Sequence, residues 1–442
     1  SPKSAIMETM RPARPTLLSL PLTLAACGGG GGADGPDALL QRVGVEVAKS
    51  KLERNLAPSD ANVGALGVGN RAFAFDLYKR VAGSNPGENL VFSPYSISTA
   101  LAMTYAGARG STASEMKATL HYDLEQPALH EAFNAADLAL SSRGKGQVGA
   151  DGTPFRLNVD NSIWQQRDYP VVPAFLDTLA VNYEAALYLT DFAKAPENAR
   201  GAINTWVSDK TEKLIPELLP MGSIDASTVF VLTNTVYFNA SWKTKFEKEA
   251  TRDAPFTRGD GTQITVPTMH AGHRMPYARG TSYQAVALPY ASDDLSFIAI
   301  LPDAGKLSEV EAALSQSWFE ELRTKLAPTG VQLAFPKLDY KQHTSLKNEL
   351  TALGMRAAFE DADFSGMTSG SVVIDDVIHE AVIKVFEGGT IAAAATAVVV
   401  RETSAPLFEQ TVTLDRPFLY AIVDAPTGQV LFLGRVTDPS AM

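Results

Sequence analysis

Glu387-Gly388-Gly389-Thr390-Ile391-Ala392-Ala393-Ala394-Ala395-Thr396-Ala397-Val398-Val399-Val400-Arg401-Glu402-Thr403-Ser404 carries two opposed local preferences. Its alanines favour helix and its valines favour strand, while Gly388-Gly389 supplies a permissive pivot at the start. Extended, the alternate residues Thr390, Ala392, Ala394, Thr396, Val398 and Val400 form one face, small at first and apolar later. Such a face slides into a sheet without clash. An Ala-rich helix followed by an ordinary strand fits these residues equally well, so this stretch alone leaves both readings open.

The surrounding chain has 442 residues, 45% apolar and 20% charged, which is enough to bury a large core and excludes global disorder. The formal charge of 38 − 49 = −11 leaves no basic field for a nucleic-acid backbone, so no nucleic-acid partner is expected. Length alone suggests two or three domains. No long Pro/Gly/Ser-rich linker recurs after about residue 66, however, so residues 66–442 read as one domain. Helical patterns dominate residues 70–220. Strand-like runs such as Val229–Asn239, Leu295–Leu301, Val331–Phe335 and Leu431–Val436 dominate the rest, an α+β pattern of mainly antiparallel sheets.

The N-terminal region reads as an address. Arg11 and Arg14 precede the apolar run Pro15–Ala26, which is too short to span a bilayer and fits a signal peptide. The string Leu24-Ala25-Ala26-Cys27 resembles the lipobox of bacterial lipoproteins. That resemblance implies cleavage before Cys27, a diacylglycerol on its sulfur, and an exported protein. The protein would then sit at the outer membrane or cell surface, or be extracellular or periplasmic. Residues 1–26 are therefore expected to leave, and residues 27–65, opening with Gly28–Gly32, to form a flexible lipid-anchored tether. Within that tether, Asp37–Leu52 is weakly helical, with Leu40, Val43 and Val47 on one face. The membrane is expected as a partner only through this anchor.

Catalytic signatures are missing: the sequence has no G-x-S-x-G, no P-loop and no H-E-x-x-H. His270 and His273 have metal-like spacing without a nearby Cys or carboxylate, and read as ordinary histidines. Gly144-Lys145-Gly146-Gln147-Val148-Gly149 matches a dinucleotide fingerprint literally, but no strand precedes it, so it reads as a loop.

The 387–404 stretch resembles the reactive-loop hinge of inhibitory serpins, and further motifs follow in order. Asn89-Leu90-Val91-Phe92-Ser93-Pro94-Tyr95-Ser96-Ile97-Ser98 with Tyr105-Ala106-Gly107-Ala108 is similar to the family's shutter helix. Ile203-Asn204-Thr205-Trp206-Val207 with Thr211 and Ile215 resembles its helix F. Leu232-Thr233-Asn234-Thr235-Val236-Tyr237-Phe238 followed by Trp242 resembles the third strand of the central sheet and the breach tryptophan. Phe335-Pro336-Lys337-Leu338, Asp363-Phe364-Ser365-Gly366-Met367, Arg416-Pro417-Phe418 and Phe432-Leu433-Gly434-Arg435-Val436 fit the remaining segments. The resemblance implies a serpin fold of three mainly antiparallel sheets, about nine helices and an exposed reactive loop.

It also implies a monomeric suicide inhibitor of a serine protease, with no turnover, cofactor or metal; a cysteine protease is a further candidate target. The hinge would be Glu387, Gly388, Gly389, Thr390, Ala392, Ala393, Ala394, Ala395 and Thr396. Counting sixteen positions from Glu387 sets the reactive bond at Thr403-Ser404, with Arg401-Glu402 as the alternative. Thr403 suits small-pocket proteases of elastase or subtilisin type, and Arg401 a trypsin-like one. Ser93, Ser96, Asn234 and His379 would form a buried polar cluster under the central sheet, with Trp242 packing at the loop's point of insertion. Gly388 and Ile391 depart from the acidic residues usual in the family. A non-inhibitory serpin, a binding or chaperone-like module, is the alternative that the small-residue hinge argues against.

Overall fold

Residues 229–241 are apolar or small and polar almost throughout, a composition suited to a strand covered on both faces. The computed structural model describes residues 40, 41, 43–150, 152–390 and 408–441, and in it this run is the strand Phe230–Ser241, buried at every position. The strand lies at the centre of a seven-stranded sheet. In order across the sheet the strands are Glu46–Ala48, Leu187–Thr190, Arg156–Gln166, Phe230–Ser241, Gly389–Thr390, Asp376–Phe386 and Leu338–Ser345.

A nine-stranded sheet holds Gln410–Thr413, Ala327–Pro336, Gln263–Arg279, Tyr283–Pro289, Leu295–Pro302, Phe418–Asp424, Val430–Val436 and Leu90–Phe92, with Arg252–Thr257 beside Gln263–Arg279. Two hydrogen-bonded sheets thus stand among the described residues where three were expected. The cause is the 17-residue strand Gln263–Arg279. It pairs with Arg252–Thr257 at its start, Ala327–Pro336 through its middle and Tyr283–Pro289 at its end, so one strand runs through two sheets and fuses them. Ten α-helices are present among the described residues.

Two helices position the central sheet. Pro94–Tyr105, with all 12 residues buried, starts at Ser93, whose hydroxyl caps the Ser96 N–H at 3.3 Å. Pro196–Lys210 lies on the opposite face. There Ala199, Ile203, Trp206 and Val207 pack with Trp164, Val231 and Ile378 in a second core, and Trp206 Nε1 donates to the Tyr188 hydroxyl at 3.1 Å.

The tether expected over residues 27–65 is corrected from residue 40 onward. Glu46–Ala48 pairs antiparallel with Leu187–Leu189 as an edge strand. Leu40 and Val45 are buried in the second core, whereas Val43, expected on the same face as Leu40, is exposed. Further along, Arg54 bonds Asn134 and Asp137, and Ser50 bonds Asp177. The helical pattern expected from residue 70 begins at Val63. The segment is too polar to show a period of its own and takes its conformation from the sheet edge it completes. Val45→Asp should bury a carboxylate in the second core, beside Pro196–Lys210, and cost about 2–4 kcal/mol, read as a drop of several degrees in the thermal midpoint. A tether would leave the midpoint unchanged.

Candidate functional site

Strand Asp376–Phe386 reverses at Glu387-Gly388, and the returning residues Gly389 and Thr390 stand between two strands. They pair antiparallel with Phe386 and Val385 on one side and with Ser241 and Ala240 on the other. The flanking strands are parallel and share a register only at Asp376–Glu380 against Val231–Thr235. Among the described residues, Val236–Asn239 and Ala381–Lys384 lie between these two levels, where the strands have no register with each other. The central sheet is therefore closed at its foot, wedged at its mouth and parted between.

Backbone and side-chain bonds fix the reversal. Trp242 Nε1 donates to the Phe386 carbonyl at 2.9 Å, the Trp242 N–H to Gly388 O at 3.0 Å and the Phe246 N–H to Glu387 O at 3.0 Å. The Trp242 ring stacks on Tyr290, with centroids 4.7 Å apart and planes 15° from parallel. The buried Glu387 carboxylate takes Lys337 Nζ at 2.7 Å and the Thr251 hydroxyl at 2.7 Å. Burial pushes this carboxyl up, but the bonds from Lys337 and Thr251 outweigh it and hold it below its ordinary range. Gly389 has φ +154°, and a Cβ there would stand 2.1 Å from Ala240 O, so only glycine fits.

Thr390 tells which face of the returning chain meets the core. Its hydroxyl bonds the buried Tyr290 hydroxyl at 2.6 Å, and Tyr290 also packs edge-on against Phe238. Directly paired residues share a face. The even-numbered residues that follow Thr390 in sequence would therefore face the core if the strand were continued.

At the foot, the resemblance-derived polar cluster comes together. The Ser93 N–H donates to His379 Nε2 at 3.0 Å, so Nδ1 carries the proton and donates to Asn234 Oδ1 at 2.5 Å. Asn234 Nδ2 in turn donates to Ser96 Oγ and to Asn161 Oδ1. Ser93, Ser96, Asn234 and His379 are all essentially inaccessible. Burial without a charged partner pushes His379 down to about 3, so it is neutral. His130 is likewise lowered to about 4 by burial.

Sequence reasoning missed Asn161, Thr251 and Tyr290, and quoted Lys337 without giving it a role. Only the lone Lys337 before a strand could have signalled a partner. His270 and His273 lie three apart on one strand, which turns them to opposite faces. The 144–149 string is a loop. Cys27, Ile391, Ala392, Ala393, Ala394, Ala395, Thr396, Arg401, Glu402, Thr403 and Ser404 lie outside the described residues.

Residues 68–439 match the family described as Serpin (serine protease inhibitor). A serpin-like protein of Thermococcus kodakarensis is 38% identical over 372 residues, 83% of this chain and 84% of that protein. The leukocyte elastase inhibitor of Bos taurus is 35% identical over 388 residues, covering 85% of this chain and 99% of that one. Among solved structures, the native thermophilic serpin tengpin superposes with TM-score 0.77 at 30% identity, covering 90% and 98% of the two chains. Human thyroxine-binding globulin with its ligand gives TM-score 0.77 at 28% identity, covering 86% and 100%.

The two histidines dictate a pH dependence. An unfolded imidazole takes a proton below about 6.5, whereas His379 stays neutral to about 3 and His130 to about 4. Stability is therefore complete above about pH 6.5 and falls as pH drops. At pH 5 the loss is about 2 kcal/mol per histidine. Denaturation midpoints from pH 7.5 to 4.5 should show the fall, and His379→Gln should flatten it by about half.

Proposed function

The chain belongs to the serpin family, and we propose that it is a suicide inhibitor of serine proteases that traps its target by inserting its reactive loop into the central sheet. The observation that carries the reading is the pair Gly389-Thr390, seated between two parallel strands and paired antiparallel to both. Continued in that register, Ala392 would meet Phe238 and Ile383, Ala394 would meet Val236 and Ala381, and Thr396 would meet Asn234 and His379. Where the neighbours are bulky, the core face of the loop is alanine. Ile391–Ala394 could enter without parting any paired residues, and from Ala395 onward the Asp376–Glu380 pairing must open. Unpairing His379 from Asn234 and Ser93 costs about 1–3 kcal/mol for each buried group left unsatisfied, a barrier that holds the uncut molecule closed.

In the reaction, the protease serine Oγ attacks the carbonyl carbon of the scissile residue. The amide C–N bond breaks, the amine leaves with a proton, and an ester to the protease forms. The released loop then enters the sheet. Roughly ten new backbone hydrogen bonds at about 1 kcal/mol each drive the insertion, which carries the ester-linked protease with it before hydrolysis. The similarity to relatives named leukocyte elastase inhibitor supports Thr403-Ser404 as the bond and a small-pocket protease as the target.

Mixing the purified chain with elastase, subtilisin and trypsin separately should give a heat-stable covalent band at the summed mass with one of the first two. The new amino terminus should begin at Ser404; Glu402 would move the bond to Arg401. A clipped chain with protease fully active would instead favour a non-inhibitory binding module. We also propose export and lipid attachment at Cys27, for which mass spectrometry of the cell-derived protein should show a diacylglyceryl-cysteine amino terminus.

A further inference from the structure

Three helices begin around one cavity of about 470 Å³. They are Gly110–Thr119, preceded by Arg109, then Gln126–Ser142, opened by Gln126, and Pro173–Tyr183, with Ala174 in its first turn. Arg109, Gln126 and Ala174 all line the cavity. None of the three helices has a side-chain cap. Their starts therefore add partial positive charge at one place, which favours an anion there.

His130 adds an unpaired donor to the same wall. It lines the cavity and is 4% exposed. Its Nδ1 lies 2.7 Å from the Tyr183 hydroxyl, which burial keeps protonated. That hydroxyl has no other partner among the described residues, so it donates to Nδ1, and the histidine proton is on Nε2. The opposite assignment would strand the hydroxyl proton as well. The Nε2–H is left buried without an acceptor, which costs about 1–3 kcal/mol. An acceptor that reaches it from the cavity removes that cost.

Arg109 brings full charge. Its Nη1 donates to the Ala106 and Ala108 carbonyls at 3.0 and 2.7 Å, and Gly366 lies so close to the guanidinium that a Cβ there would overlap it. No carboxylate among the described residues forms an ion pair with it; Asp363, which shares its field, is bonded by Ser365 instead. Gln126 and Asn182 supply the opposite polarity. Gln126 Nε2 donates to Tyr105 O at 2.8 Å and Asn182 Nδ2 to Thr178 O at 3.1 Å, which leaves both amide oxygens to accept. The buried Phe175 gives the cavity an apolar wall.

We infer that this cavity is a binding site for a small zwitterion, a free amino acid with an apolar side chain, whose carboxylate is taken by Arg109 and His130 and whose ammonium is taken by Gln126 and Asn182. The site shares no residue with the hinge or the buried polar cluster, so the inference stands apart from the inhibitory reading.

Titration calorimetry of the whole chain with L-leucine and L-phenylalanine should show saturable binding, with a rise in the thermal midpoint. Two analogues divide the ligand: 4-methylpentanoate, which lacks the amine, should bind about tenfold more weakly, and 3-methylbutylamine, which lacks the carboxylate, should not bind. Arg109→Gln and His130→Phe should each weaken L-leucine binding about tenfold. Ala174→Trp, at an exposed position on the cavity wall, should abolish binding and keeps the test decisive if His130→Phe does not fold. Neither heat nor a midpoint shift from both amino acids up to about 10 mM would overturn the site. Binding of the amine alone, or affinity unchanged in Ala174→Trp, would overturn it too.

Discussion

Two strands that run parallel and touch at one end only, Phe230–Ser241 and Asp376–Phe386, set the terms for the rest of the molecule. A strand that leaves one of them through a tight reversal travels antiparallel to both. It can therefore satisfy two sets of backbone groups at once and replace a slanted parallel ladder by two antiparallel ones. Glu387-Gly388 makes that reversal, and Gly389-Thr390 is its first step. Everything near the mouth, from the Trp242 bonds to the close fit around Gly389, keeps the reversal in register with both neighbours.

The two ends of the parted region hold buried polar groups in opposite electrical states. At the mouth, Glu387 stays charged because Lys337 and Thr251 reach it. At the foot, His379 stays neutral because nothing charged bonds it and its two nitrogens are taken by Ser93 and Asn234. Each group is satisfied only in the present arrangement. Separation of the strands must therefore break specific hydrogen bonds, whereas the apolar contacts can slide, and this difference confers a definite barrier on the sheet.

The Gly388-Gly389 pivot was legible from residue type, whereas the polar cluster was reached only through the family resemblance, since nothing in the local pattern sets His379 beside Asn234 and Ser93. The edge strand Glu46–Ala48 was not legible, since three residues have no period and pair only because Leu187–Leu189 offers a free edge. The 144–149 string could be read as a loop from its missing flanking strand. The bond from the Ala150 N–H that follows it to Asn239 Oδ1 spans some 90 positions of sequence and depends on the tertiary fold alone. The fusion of two sheets was hidden for a related reason: the Gln263–Arg279 run carries Pro267, Gly272 and Pro276, residue types that weaken or interrupt a strand. Pro276 pairs with Pro328 and Gly272 with Gln332, so the strand continues through them.

The hairpin of Phe418–Asp424 and Val430–Val436 lies inside the nine-stranded sheet, between Leu295–Pro302 and Leu90–Phe92. A ribosome makes these two strands after everything they bind. Until they emerge, Leu90–Phe92 and Leu295–Pro302 each present an open apolar edge, and the sheet cannot close on the nascent chain. Closure of this half of the fold therefore waits for these two strands, and the growing polypeptide depends on whatever shields those edges in the meantime.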